Sequence, residues 1–369
     1  EPAPGAADSA AVAAQADSAS SAAVPAVPPP TAAPPTAAGP EELEPPDPWE
    51  MTGYPLISTT GPQGQVIAIT NPVITHGALT ITAPSGRYLV DAGRAELEGG
   101  VAFAEGETRG KSARATYLRG EEILIAEGDV EVDSPPDSLK LWSDRARYDR
   151  LGRALTMVGN ARGRRGDRRM TADEALWRRE TEEVVLTGDV HVSEEDGASQ
   201  LTGERIVYDL RTDRAWVTEV PTLTLTGSDG EVTRITGDRL WVAPGGDAEA
   251  SGNVRVLRGG VTAESDSASY RRRERRALLL GAPRVIERDG TLTGDTLILH
   301  FDAQEAIDRA EVHGNAAVRH APLDSLKAGE VSTVRGDSLT MYFAEGVTER
   351  VITVGGASSS YAPSAADAA

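Results

Sequence analysis

Acidic residues recur at one place in a repeating pattern: Asp144, Asp173, Glu204, Asp238, Asp266, Asp295 and Asp337. Paired carboxylates can do general acid–base work, but only where two of them are set apart by their surroundings. Here each acid lies at a repeated turn, so a unique catalytic pair has no support. No G-x-S-x-G, phosphate-binding P-loop or H-E-x-x-H run is present. The five histidines are scattered over different copies of the pattern, and His313 and His320 share one hairpin region without the acids a metal site needs. Cysteine is absent, which removes disulfides, thiolate metal ligands and cysteine nucleophiles. The expectation is a protein that is not an enzyme and that needs no metal or cofactor.

The positions just after each acid are more informative. Two residues on stand Ala146, Ala175, Ile206, Leu240, Ala268, Leu297 and Leu339, joined by Ala115 in an earlier copy. Four residues on stand Tyr148, Trp177, Tyr208, Val242, Tyr270, Leu299 and Met341, joined by Tyr117. Apolar residues at period two, with largely polar ones between, mark a strand with one buried face. These sixteen positions are the candidates for an apolar groove. Small side chains at regular intervals leave room for a slot, and each buried methylene of a ligand stabilises binding by about 0.8 kcal/mol. The other reading of the same positions is ordinary packing between two sheet layers.

Arginines come after that face in copy after copy: Arg119, Arg150, Arg153, Arg178, Arg179, Arg211, Arg214, Arg271, Arg272 and Arg273. Stacked in register, such turns would form a rim able to meet phosphates or carboxylates of a glycolipid headgroup through forked hydrogen bonds. The rim candidates are Arg150, Arg153, Arg178, Arg179, Arg211, Arg214, Arg271 and Arg272; the alternative is a set of solvated turns. The denser run Arg162–Arg169, "RGRRGDRR", reads as a solvated loop.

The elements that must position these residues are repeats. "GDVHVSEEDGASQLTGERIVY" from Gly188 and "GNVRVLRGGVTAESDSASY" from Gly252 say the same thing twice, and Gly128, Gly159 and Gly314 open further copies. Gly100 and Gly281 open looser ones, and Val220-Pro221 stands where a copy has lost its glycine. Successive starts lie 28 to 33 residues apart, giving eight or nine units of two or three short strands. Units this short cannot each close a core, so they must stack and bury a continuous apolar stripe. Gly-Asp and Gly-Asn at the joints supply the positive φ of tight turns or bulges.

The chain is 369 residues with a net charge of −20, 39% hydrophobic but only 4% aromatic, so the core is built from aliphatic side chains. An acidic body argues against nucleic acid as a partner, since phosphate binding needs basic surface. Residues 1–40 hold 16 Ala and 9 Pro, which neither helix nor core can use. Residues 1–52 are therefore expected to be a disordered linker, able to tether the chain to a membrane. Residues 53–362 are expected to form the repeat array and 363–369 a disordered tail.

The quoted units resemble the OstA-like family of lipopolysaccharide-transport proteins, which covers periplasmic LptA and LptC and the N-terminal domain of LptD. The likeness runs over about residues 80–355. It implies an all-β, elongated, twisted β-jellyroll whose apolar interior holds acyl chains. It also implies a periplasmic bridge protein in outer-membrane assembly, carrying lipopolysaccharide or a similar glycolipid. Its expected partners are other jellyroll bridge proteins, joined by edge-strand pairing, together with an inner-membrane transporter and an outer-membrane translocon. The chain differs from the family's single modules in being about twice as long, and it lacks the many aromatic-girdled segments of an outer-membrane barrel. The competing expectation is a structural or adhesive β-array with a filled core and no lipid ligand.

Overall fold

A bulge in the middle of each long strand shapes this protein. In the computed structural model, which describes residues 48–62, 64–227, 230–287, 289–304, 306–321, 330–344 and 347–363, all strands are antiparallel and belong to one hydrogen-bonded sheet. Each long strand pairs with the strand before it and the strand after it. Arg94–Glu105 pairs with Thr108–Leu118, that with Ile123–Ser134, and that with Leu139–Asp149. The meander continues through Ala154–Arg165, Arg168–Arg178, Glu183–Glu194 and Ser199–Asp209.

The register slips halfway along each of these pairings, for example between Val158 and Ala161, between Thr171 and Glu174, and between Thr187 and Val190. Elsewhere the same point splits a strand in two, as in Arg214–Glu219 and then Thr222–Thr226, or Arg276–Leu280 and then Arg284–Glu287. Every rung therefore has two arms that meet at a corner. The inward side chains of both arms share one core: Met157 and Ala175 from one arm pack with Ala161, Met170 and Ala172 from the other. One sequence unit supplies two rungs, the first bent at its Gly-Asp or Gly-Asn joint and the second carrying the recurrent acid.

The corner explains why the acids recur. Gly188 and Asp189 both take left-handed backbone, at φ 78 and 41, and the carboxylate of Asp173 from the preceding rung lies against Gly188 where a Cβ would be. Where the second residue is Asn, its amide donates to the same acid: Asn160 Nδ2 to Asp144 at 2.8 Å, Asn253 Nδ2 to Asp238 at 3.1 Å, and Asn315 Nδ2 to Asp295 at 3.0 Å. Asp144, Asp173, Asp238, Asp266, Asp295 and Asp337 each brace a corner glycine of the next rung, which is a structural reason for their spacing.

The copy without glycine keeps the corner. Val220 occupies the Asn position at φ 51, with its side chain exposed. A β-branched residue in left-handed backbone costs about 1–2 kcal/mol. Val220→Asn is expected to raise stability by about 1 kcal/mol, read as a higher midpoint in urea; an unchanged or lower midpoint would refute the strain.

Buried side chains form three successive clusters along the array: Ile74 to Leu124, Ala126 to Val254, and Ala263 to Met341. The all-β expectation holds. Residues 1–47 of the expected linker and 364–369 of the expected tail lie outside the described residues. Inside the linker span, Trp49–Thr52 forms a strand on Val73–His76, and Trp49 packs on Tyr88 with ring centroids 5.2 Å apart. The Pro-rich composition around it hides so short an alternation.

Both terminal rungs are edges. Leu56–Gly61 pairs only with Gly64–Thr70 among the described residues, and Val347–Val354 pairs only with Val331–Ala344. Large apolar side chains are exposed at each edge: Tyr54, Leu56 and Ile57 at one, Val351, Ile352, Val354 and Tyr361 at the other.

Candidate functional site

The sixteen groove candidates all fall on the inward face of the arms. Ala115, Tyr117, Ala146, Ala175, Trp177, Ile206, Tyr208, Leu240, Leu297, Leu339 and Met341 are buried. Tyr148, Val242, Ala268, Tyr270 and Leu299 are only partly buried. Those last five are therefore the most accessible positions of the stripe, four of them in its later half. Register brings the candidates into rows: Met157 stands opposite Ala175, Ala175 opposite Leu186, and Leu186 opposite Ile206. Tyr270 meets Phe301 edge-on at 5.8 Å. Among the described residues the indole N–H of Trp177, deep in the central cluster, has no hydrogen-bond partner.

The turns carrying the arginines do stack. Arg119 N–H donates to Gly93 O at 2.9 Å, Arg150 to Glu122 O at 3.1 Å, Arg179 to Arg153 O at 3.0 Å, and Leu210 to Glu182 O at 2.8 Å. Successive turns are thus tied into one row along the free ends of one set of arms. The side chains on that row go different ways. Arg153, Arg178, Arg211, Arg214 and Arg272 are exposed, with Arg178 3.6 Å from Glu183 and Arg214 over the Trp241 ring at 5.2 Å. Arg271 pairs with Glu249.

Arg150 and Arg179 instead turn across the opening between the two sets of arms. Glu105, at the end of the opposite arm, accepts from Arg150 Nε at 3.1 Å and from Arg179 Nη1 at 2.9 Å, and Tyr148 Oη donates to it. Arg150 also pairs with Glu122, whose carboxylate lies 3.8 Å from His76; the His76 ring is hydrogen-bonded to Tyr117 Oη. A second crossing lies further on. Arg165 and Arg168, from the opposite row of hairpins, reach Asp213 at 2.5 and 3.3 Å. This corrects the expectation for "RGRRGDRR": Arg164 and Arg169 pair with Glu195 on the surface, but Arg165 and Arg168 are largely buried in a clasp between the two rims. Composition cannot show it, because Asp213 lies more than forty residues away.

Three tyrosines in these crossings hold their protons tightly. Burial, then hydrogen bonding to Glu105, pushes the Tyr148 phenol up to about 12. Burial and then the Glu122 charge raise Tyr117, and burial and then the bond to Asp213 raise Tyr208. A phenol whose folded pKa is raised contributes stability that is whole below its unfolded pKa near 10 and is lost as pH climbs through the folded value. The protein is expected to lose stability steeply between about pH 10 and 12, and Tyr148→Phe to flatten that limb. An alkaline midpoint curve indifferent to Tyr148→Phe would show that the clasp does not couple to folding.

Among the described residues no group of three or more acids and histidines could hold a metal. No protein-family model and no curated protein matches the chain. Among solved structures it is similar to the crystal structure of LptH, the LptA-homologous periplasmic component of the lipopolysaccharide transport device from Pseudomonas aeruginosa. The identity is 20%, over 40% of this chain and 82% of that one, with a TM-score of 0.18. A superposition that limited carries no functional argument, so function has to be argued from the residues themselves.

Proposed function

We propose that the protein carries lipopolysaccharide or a similar glycolipid across the periplasm as a bridge component. The observation behind this reading is the interior: an apolar face repeated rung after rung, enclosed by two sets of arms, with a row of stacked turns, several of them bearing arginine, along one free margin. Acyl chains bind between the arms and phosphorylated headgroups stay in water at the rim. Each methylene taken from water contributes about 0.8 kcal/mol, enough for strong binding without a catalytic group. A glycolipid's ester or amide carbonyl would also satisfy the buried Trp177 N–H, whose lack of a partner otherwise costs about 1–3 kcal/mol. The exposed apolar residues on the two edge rungs suit strand addition by other jellyroll bridge proteins. An inner-membrane transporter would supply directional energy and an outer-membrane translocon would receive the cargo.

Most of the inward face is already buried against its own side chains, so acyl chains enter by parting the arms. That same packing favours a second reading, a filled structural array, because eleven of the sixteen inward candidates are already buried. A photocrosslinking amino acid placed at Leu299 or Tyr270, inside the fold, separates the two. The carrier reading predicts adducts with lipopolysaccharide from these sites and none from Val158, which faces solvent on the outer surface. No adducts inside, or equal labelling at Val158, would favour the filled array.

A further inference from the structure

The clasp around Asp213 has the construction of an anion site filled by the protein's own carboxylate. Arg165 and Arg168 come from the Ala154–Arg165 and Arg168–Arg178 strands at one hairpin, and their side chains are 20% and 16% exposed. Both guanidiniums lie over the Tyr208 ring with 5.7 Å to its centroid. Each has anchors other than Asp213's carboxylate. Arg165 Nε donates to Asp137 O at 3.1 Å and Nη2 to Leu210 O at 2.5 Å, while Arg168 Nη1 donates to Tyr208 Oη at 2.8 Å and to Asp213 O at 3.2 Å.

Asp213 is different in kind. It sits in a surface turn at φ 59 with its side chain 41% exposed. One carboxylate serves two guanidiniums, and the next acid, Glu194, is the register partner of Arg168 on the neighbouring strand. The forks keep anchors apart from the Asp213 carboxylate, but that carboxylate also accepts from Tyr208 Oη, so an incoming anion has to take over three donors. A phosphate monoester brings about −1.5 to −2 charges and three acceptor oxygens, and guanidinium forks bind it bidentately.

We propose that Arg165 and Arg168 form a binding site for a phosphate monoester, occupied in the unliganded protein by Asp213, and that phosphate displaces this carboxylate and frees the seam between the two rims. The site closes the margin across which the arms must part, so its ligand acts as the trigger for opening. The phosphate site stands on its own geometry; only its link to cargo entry rests on the lipid-carrier reading.

The test is a calorimetric titration of inorganic phosphate into the full chain at fixed ionic strength, with chloride as the control. Wild type is expected to bind phosphate, Asp213→Asn to bind it about tenfold tighter because the internal competitor is gone, and Arg165→Gln or Arg168→Gln to lose binding. Arg168→Lys keeps the charge but not the fork and is expected to weaken binding about tenfold. Should Asp213→Asn unfold, the rise in the wild-type thermal midpoint with phosphate over chloride, compared with Arg168→Lys, reads the same site.

Parallel titrations with lipid A micelles, and with lipid A stripped of its phosphates, identify the source. Free phosphate binding as tightly as lipid A assigns the site to free phosphate. Lipid A binding that needs both its phosphates and Arg168, with free phosphate inert, assigns it to a lipid headgroup. Either result upholds the site. Binding of both ligands that is unchanged in the arginine variants overturns it, whatever becomes of the lipid-carrier reading.

Discussion

Gly188→Val is expected to destabilise the array by about 2–4 kcal/mol, seen as a lower urea midpoint. Two effects combine. Left-handed backbone at φ 78 costs a β-branched residue about 1–2 kcal/mol, and the new Cβ would collide with the Asp173 carboxylate that braces the corner. Gly166 separates these effects. It also has positive φ, at 59, but a Cβ there meets open space. Gly166→Val should therefore show the backbone cost alone. Equal losses at the two positions would show that the Asp–Gly brace contributes nothing, and the structural account of the recurrent acids would fail.

The second large effect concerns the interior. Ala175 is buried between Met157 and Leu186 on the neighbouring rungs. Tryptophan there overfills a packed core, at a cost of about 3 kcal/mol. Ala268 is only partly buried and lies between Ala250 and Leu279, so Ala268→Trp is expected to fold with a loss nearer 1 kcal/mol, about the lower bound for overpacking. Lipid lost from Ala175→Trp would report damage to the fold. Lipid lost from a well-folded Ala268→Trp would report a blocked slot. The pair is read by circular dichroism melting together with bound-lipid analysis. Full lipid occupancy in Ala268→Trp would place the ligand elsewhere.

Much of the fold was legible because period-two alternation and the Gly-Asp and Gly-Asn joints are local signals. The inward placement of Ala175, Ile206 and Leu297 comes from alternation alone once a strand is assumed. Even the defective copy at Val220-Pro221 kept its place in the array, since its neighbours on both sides impose the corner.

Two things were not legible. The acids looked like spacing without a purpose until the bend brought Asp173 against Gly188 of the next rung. The clasp was hidden for the same reason. Arg165 and Asp213 are far apart in the chain, and only the folding together of the two sets of arms makes them neighbours. Local periodicity predicts which face is buried, but not which distant turn closes over it. It likewise could not tell that Arg150 and Arg179 would turn inward to Glu105 while Arg153 and Arg178 stayed exposed.

The central claim is that the interior carries acyl chains. The most direct measurement is organic extraction of the protein purified from a lipopolysaccharide-producing host, and then mass spectrometry for lipid A. The account predicts lipid A in stoichiometric amount from wild type and close to background from folded Ala268→Trp. Protein that comes out free of lipid A, and that takes up none when incubated with lipopolysaccharide, would contradict it and leave a filled structural array.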